Sequence, residues 1–213
     1  MTVAPDGSHA TLVETRAGTS RLLSIPLGSG ETRTVIETAG EMADPRPRPR
    51  RAQILYRTGE RGLWLVRQDG RENRQLKLAA GRIGTAFWAP DGQTLLYLSY
   101  PDDPSQLHAI REHSPDTGAD KLIAKTSQFA SFSANRDTSV FVGASENRAS
   151  PHVLLQLRVT GTERTICEHR ASDAATVCPV FSPDSQNVYF QSDRHGKPAI
   201  YKMHLDKLVE ETA

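Results

Sequence analysis

The chain is short of cysteine, of aromatic residues and of excess charge, and each shortage excludes something. Two cysteines in 213 residues, Cys167 and Cys178, are too few for a disulfide framework and carry no metal-ligand spacing. They are expected to be reduced thiols, with a single bridge in an exported protein as the alternative. Lys and Arg total 26 against 25 for Asp and Glu, so a net charge of +1 supplies no field for nucleic acid or an anionic membrane surface. No apolar run approaches the ~18 residues of a membrane span, and no signal-peptide pattern opens the chain. Helical periodicity is missing too: no such segment exceeds two turns, apart from a possible short helix in the tail "LDKLVEETA". There is no Gly-x-Ser-x-Gly elbow for a serine hydrolase, and "LGSGETR" at 27 to 33 lacks the strand-to-helix context of a phosphate loop.

What is present is a repeat. "FSPDSQNVYFQS" at 181 to 192 matches "FWAPDGQTLLYLS" at 87 to 99, "SFSANRDTSVFVG" at 131 to 143, "TVAPDGSHATLVE" at 2 to 14 and, degraded, "RPRRAQILYRTG" at 48 to 59. The Asp slot is read as Asp6, Arg50, Asp91, Asn135 and Asp184, at intervals of 41 to 49 residues. A period of ~40–50 residues with several short strands is the mark of a β-propeller blade. Proline presets φ for the turn, and an Asp or Asn side chain hydrogen-bonds its own backbone two residues on. Apolar alternation follows, as at Leu95 and Tyr97 or Val188 and Phe190, which predicts a half-buried strand. A second strand comes next in each unit ("RLLSIPL", "GLWLVRQDG", "QLHAI", "HVLLQLRV", "AIYKMHL") and a third closes it ("TRTVIE", "NRQLKL", "DKLIAK", "ERTICE").

The Pro-Asp aspartates are therefore turn residues, not catalytic ones. The expected fold is all-β, a propeller of four-stranded antiparallel blades. About five blades are present, as part of a seven-bladed ring. Residues 1–213 are expected to form one propeller domain, incomplete at its N-terminus, whose first blade lacks the strand before its turn.

These residues carry a family resemblance. "RLLSIPLGSGETRTVIE", "GLWLVRQDGRENRQLKL" with "FWAPDGQTLLYLSY", and "ICEHRAS", "CPVFSPD" and "SDRHGKPAIY" resemble the C-terminal part of bacterial oligogalacturonate lyases. The Ser-Asp-x-x-Gly-x-Pro-Ala-Ile-Tyr run is the most specific of them. The Pro-Asp turns alone would also fit TolB-type propellers. The resemblance implies cleavage of short pectin-derived oligogalacturonides by β-elimination. It implies a divalent metal, usually manganese, that binds the uronate and acidifies the proton beside its carboxylate, a His base and a charge-stabilising Arg. A cation on the carboxylate would lower the cost of a carbanion-like transition state.

Residue by residue, most of that machinery is replaced. Gly84-Thr85-Ala86-Phe87-Trp88 stands where the family has a metal His before its Phe-Trp box. Asp173 to Pro179 stands for the Gln-x-x-His-Pro-His-Pro run, with Thr176 and Cys178 in the two His slots. The loop that carries the base His is contracted to Arg57-Thr58-Gly59-Glu60. Cofactor use is therefore left unknown, manganese being implied by the family without its histidines. Arg46, followed by proline, matches the charge-stabilising Arg and is the candidate catalytic residue; Arg46, Arg48 and His169 are the candidate substrate-binding residues.

Each candidate has a structural alternative. The arginines of "DPRPRPRR" alternate with prolines, which predicts an extended segment throwing guanidiniums outward, as a carboxylate cradle or a solvated loop. His169, Asp173 and Cys178 form a replacement metal set on paper, although Cys178 reads better as a small buried residue and His169 as a strand-end packing residue. The other six histidines read as surface residues, and Trp64 and Trp88 as core. Two functions follow: a lyase relative acting on or binding acidic oligosaccharide, or a non-catalytic TolB-like scaffold for a protein partner. Inward-facing basic residues would favour the first and an apolar, aromatic-bearing rim the second. A bacterial cytoplasmic location is expected, or a periplasmic one if a signal precedes this stretch, and the oligomeric state is left open.

Overall fold

The computed structural model describes residues 1–205 of the chain, so the expected tail helix lies outside the described residues. Among the described residues, nineteen strands and one 3-10 turn make up the regular structure. Two compact units result: Met1–Leu96 with Glu112–Asp120, and Tyr97–Arg111 with the chain from Lys121 onward.

In the first unit, β1 (Thr2–Val3), β2 (His9–Arg16), β3 (Thr19–Pro26) and β4 (Arg33–Ala39) form an antiparallel sheet in that order. β5 (Ala43–Pro47), β6 (Gln53–Thr58), β7 (Gly62–Arg67) and β8 (Arg74–Gln75) form a second. A third sheet, of β9 (Arg82–Trp88), β10 (Leu95–Tyr100), β11 (Ala109–His113) and β12 (Asp120–Lys125), contributes residues to both units. The second unit holds β13 (Phe129–Ala134), β14 (Val140–Ser145), β15 (His152–Leu157) and β16 (Glu163–Glu168), and a three-stranded sheet of β17 (Val180–Phe181), β18 (Asn187–Ser192) and β19 (Ala199–His204). The all-β architecture of antiparallel, four-stranded blades is the one expected.

One backbone bond marks every repeat. The amides of Ala4, Arg48, Ala89, Asn135 and Ser182 donate to the carbonyl five residues on, at His9, Gln53, Thr94, Val140 and Asn187, over 2.8 to 2.9 Å. Two residues past each of these amides sits the aspartate slot. Asp6, Asp91 and Asp184 fill it, each Oδ1 accepting from the amide two residues later at 2.9 to 3.0 Å. In the fourth repeat the slot belongs to Asp137, not Asn135: Asp137 Oδ1 accepts from the Ser139 amide at 3.0 Å. Asn135 does the work of Ser182 instead, its side-chain oxygen accepting from Val140 as Ser182 Oγ accepts from Asn187. The expected missing strand of the first blade is also corrected. Thr2 and Val3 pair with Thr11 and Ala10, so the turn at Asp6 has a strand on both sides.

The inner strands depart from simple alternation. Val188 and Phe190 are buried and alternate with half-buried neighbours, but Leu95, Leu96, Tyr97 and Leu98 are all fully buried. An inner strand covered on both faces needs apolar residues at every position. In the first unit Leu22, Val35, Met42, Ile54, Tyr56 and Val66 pack together, with Trp64 against them. In the second, Val142, Val153, Leu155, Val177, Val188 and Phe190 do the same. Each such side chain contributes roughly 1.5–3 kcal/mol by leaving water. Gly143 is required by this packing, because a Cβ there would lie 2.1 Å from the Phe129 ring. Gly92 is required twice, by φ of +70° and by the Pro49 carbonyl 2.1 Å from where a Cβ would be.

Candidate functional site

The arginine run is a solvated fan only in part: Arg50 and Arg51 are exposed, whereas Arg46 is half-buried and Arg48 is buried. Pro45, Pro47 and Pro49 are buried and hold the segment from β5 into its turn against the unit. Arg48 is buried with them, its side chain 1% exposed. Its Nε donates to the Gly92 carbonyl (2.6 Å), and its terminal nitrogens donate to Gln53 Oε1 (2.7 Å) and to both carboxylate oxygens of Asp116 (2.9 and 2.8 Å). The guanidinium also lies over the Trp88 ring, 5.1 Å from its centroid. A cation taken from water must be met this fully or it destabilises the fold. Arg48 is therefore a strut, and the expectation that it binds substrate is corrected on that ground. The Arg48 guanidinium in turn holds the Asp116 carboxyl below the usual carboxylate range.

Arg46 behaves differently. It is half-buried in β5, and its carbonyl accepts from Trp88 Nε1 at 3.2 Å. Its guanidinium has no hydrogen-bond or ion-pair partner among the described residues. Of the two arginines expected to touch substrate, it is the one left available.

A cleft of about 720 Å³ lies in the second unit. The β14–β15 loop, the segment after β16 and the β18–β19 loop supply its walls. His169 stands there, 2% exposed. Its Nδ1 accepts from the Ala171 amide at 3.0 Å, so Nε2 carries the proton and donates to the Ser145 carbonyl at 3.0 Å. Both ring nitrogens are used on backbone. The imidazole therefore shapes the wall and is not placed to bind substrate directly, as its strand-end position suggested.

Around it the Ser-Asp-x-x-Gly run locks the floor. Ser192 Oγ donates to the His169 carbonyl (2.6 Å), and Asp193 accepts from the Ser172 amide (2.9 Å) and hydroxyl (2.6 Å). Those bonds from Ser172 keep the Asp193 carboxyl below its ordinary range. Arg194 lies 4.6 Å from the Tyr201 ring centroid and donates to the carbonyls of Glu168 (2.6 Å) and His169 (3.1 Å).

The cleft is balanced in formal charge, Arg148, Arg170 and Arg194 against Glu146, Asp173 and Asp193. What matters is which charges are engaged. Arg194 is stacked, Arg170 pairs with Glu168 at 2.8 Å, and Asp173 accepts from Ala175 at 2.9 Å to cap the turn Ala174–Thr176. Arg148 is exposed and has no partner among the described residues. Sequence reasoning missed Arg148, because "SENRAS" resembles any polar loop. Asp193 and Arg194 lay inside the most specific motif and had a signal, though not one that told their roles apart.

The residues do not fit a metal. Among the described residues no three His, Cys, Asp or Glu side chains come together as a ligand group. Thr176 Oγ1 donates to the Asp173 carbonyl, and the His169 nitrogens are consumed. Cys178, expected to be buried, is exposed, with its Sγ 3.3 Å from the Ala175 carbonyl, while its neighbours Val177 and Pro179 are buried instead. The Cys178 backbone there is left-handed, with φ of 40°. Both cysteines are free thiols, and burial pushes the Cys167 thiol up. Of the histidines read as surface residues, His113 is buried at 1% exposure. Trp88 is buried, as expected, and Trp64 is half-buried against the Leu22, Ile54 and Val66 cluster.

The fold defines a β-propeller-type protein, with a cleft of about 720 Å³ and no metal centre among the described side chains. Comparison with known proteins places it further. No protein-family profile matches the chain. It is 27% identical over 211 residues to the oligogalacturonide lyase of Pectobacterium atrosepticum, an alignment covering 85% of this chain and 54% of that protein. Among solved structures, an oligogalacturonate lyase in complex with manganese superposes with a TM-score of 0.81 at 26% identity, over 90% of this chain and 56% of that one. TolB from Acinetobacter baumannii matches in fold alone, with a TM-score of 0.73 at 18% identity over 96% of this chain and 51% of that one. The chain's resemblance to the oligogalacturonate lyases is thus shown in both sequence and fold, and it spans about half the length of those relatives.

Proposed function

We propose that this chain is an oligogalacturonate lyase-like propeller that binds short acidic oligosaccharides of the pectin-fragment class without the family's metal-assisted elimination. One observation carries the reading. The cleft opens beside Asp173–Ala175, the start of the Asp173–Pro179 run matched to the family's ligand run, and no metal-ligand group forms there among the described residues while the cleft remains. Arg148 offers its free fork to a uronate carboxylate, and Asp193 and Ser172 lie where sugar hydroxyls would meet them. Arg46, the counterpart of the charge-stabilising arginine, is proposed as a further substrate contact. The scaffold alternative is less favoured, because the exposed large apolar residues are scattered aliphatics such as Leu27, Leu122, Val159 and Ile200, with no aromatic among the described ones.

The test is a titration with unsaturated digalacturonate and with trigalacturonate, with and without manganese, read by calorimetry and by ultraviolet absorbance of the elimination product. Binding indifferent to manganese, weakened about tenfold by Arg148→Ala, with no product signal, is the expected result. Manganese-dependent product formation would overturn it.

A further inference from the structure

We propose a second ligand site, in the first unit, for a small oxyanion: a carboxylate or phosphate group carried on a small polar molecule. A cleft of about 350 Å³ is lined by the turns that join β1 to β2 and β5 to β6, with Asp6, Ser8, His9, Arg50, Arg51 and Gln68 in its walls.

The argument is a count of donors against acceptors. Arg48 also borders the cleft, but its charge is matched by Asp116. Arg50 has no partner among the described residues. Arg51 reaches Asp116 only at 4.0 Å, and that carboxylate is already gripped at both oxygens by Arg48. The one carboxylate in the wall, Asp6, accepts from the Ser8 amide (3.0 Å) and hydroxyl (2.7 Å). Two guanidinium forks therefore line a cleft with a single carboxylate, whose Oδ1 is taken by Ser8, so the lining carries one positive charge more than it matches. An oxyanion supplies what is missing, and a planar fork suits it better than water does.

The wall is also held in place. Ser8 donates its single hydroxyl proton to Asp6, so His9 Nδ1–H donates to Ser8 Oγ at 2.8 Å. His9 Nε2 then accepts from the Gln68 amide at 2.7 Å, and the Gln68 backbone amide donates to the Ala52 carbonyl at 3.0 Å. Across the cleft, Arg50 sits at φ of +58°, a conformation that a non-glycine residue keeps only when its surroundings fix it. Here Pro49 before it and the bond from the Arg48 amide to the Gln53 carbonyl (2.8 Å) do so. Binding would spend little on ordering the protein.

The test is an amide-resonance titration of the whole chain with inorganic phosphate, with galacturonate and with neutral galactose. Phosphate and galacturonate are expected to give saturable shifts at residues 6–9 and 48–52, with the stronger of the two naming the group, and galactose none. In the double variant Arg50→Gln/Arg51→Gln affinity should fall by at least about tenfold, whereas Arg136→Gln, at an exposed arginine outside both clefts, should leave it unchanged. Arg50→Lys/Arg51→Lys keeps the charge but loses the fork, and an intermediate affinity is expected from it even if the double Gln variant folds poorly. Unchanged affinity in both double variants, equal binding of galactose, or unsaturable shifts that chloride reproduces would each overturn the site.

Discussion

The Pro-Arg turn of the first unit and the loop after β16 in the second are made of similar residues and spend them in opposite ways. In the turn, Arg48 takes every nearby acceptor and Arg50 and Arg51 are left with none of their own. In the loop, His169, Asp173, Asp193 and Arg194 are each matched to backbone, and only Arg148 on the facing loop stays free. The difference teaches that a charged side chain in a binding cleft counts by what it has left to give. Arg48 and His169 were the attractive candidates by position, and both are consumed by the fold.

The contrast can be broken most forcefully at Arg48. Arg48→Ala removes a buried cation and strands the Gly92 carbonyl, and about 3–5 kcal/mol should disappear from the unfolding free energy in urea. Asp116→Asn should cost less, because that carboxylate is half-exposed. A loss under about 1 kcal/mol for Arg48→Ala would mean the turn is held by its prolines and not by the strut.

At His169 the expected effect is smaller. His169→Leu keeps the bulk but orphans the Ser145 carbonyl and the Ala171 amide, for a loss of about 1–3 kcal/mol. Arg148→Leu, by contrast, should move stability by no more than about 0.5 kcal/mol while weakening sugar-acid binding about tenfold. If the two variants behave alike in thermal melting, the division between consumed and available side chains fails.

The finest distinction separates two buried imidazoles. His113 resembles His169 in burial, yet its Nδ1 has no hydrogen-bond partner among the described residues. Burial, aided by Arg74 and opposed by Asp120, holds its pKa below the ordinary imidazole value of 6.5. The unfolded chain therefore binds this proton first. Stability from a neutral His113 is present above pH 6.5 and is lost as the pH falls from there toward the depressed value. The slope of stability against pH should be at most about 1.4 kcal/mol per unit, the limit for one proton, and His113→Gln should flatten it in a melting series. A slope that survives the substitution would point to a different group.

Much of the fold was legible because the repeat is written twice, in turn chemistry and in strand pattern. "DKLIAK" and "ERTICE" coincide with β12 and β16, and all five turns close with the same bond. The shift from Asn135 to Asp137 was hidden because Asn and Asp are both good turn residues, and the hydrogen bond that tells them apart is local geometry. The burial of Leu96 and Leu98 beside Leu95 and Tyr97 was hidden for another reason: a strand covered on both faces is decided by neighbours far along the chain. The candidate site was legible only as a location. The placing of Thr85, Thr176 and Cys178 in the family's histidine slots is what the resemblance implies, and it rests on residue type alone. That Arg48 turns inward could not be read from type, since its acceptors come from Gly92 and Asp116, 44 and 68 residues away.

Those separations have a consequence for how the chain is made. The second sheet, from Ala43 to Gln75, is complete in sequence long before Gly92 and Asp116 are synthesised. Until they arrive, Arg48 is a charge beside an unfinished core, which favours keeping that turn open to water. Local strand pairing can run ahead, but the turn seals only when two later segments reach it, and such distant closures are the slow steps of folding. A nascent chain stalled between residues 75 and 116 should therefore hold paired strands around an unlatched arginine, accessible to any chaperone that favours basic, proline-flanked segments.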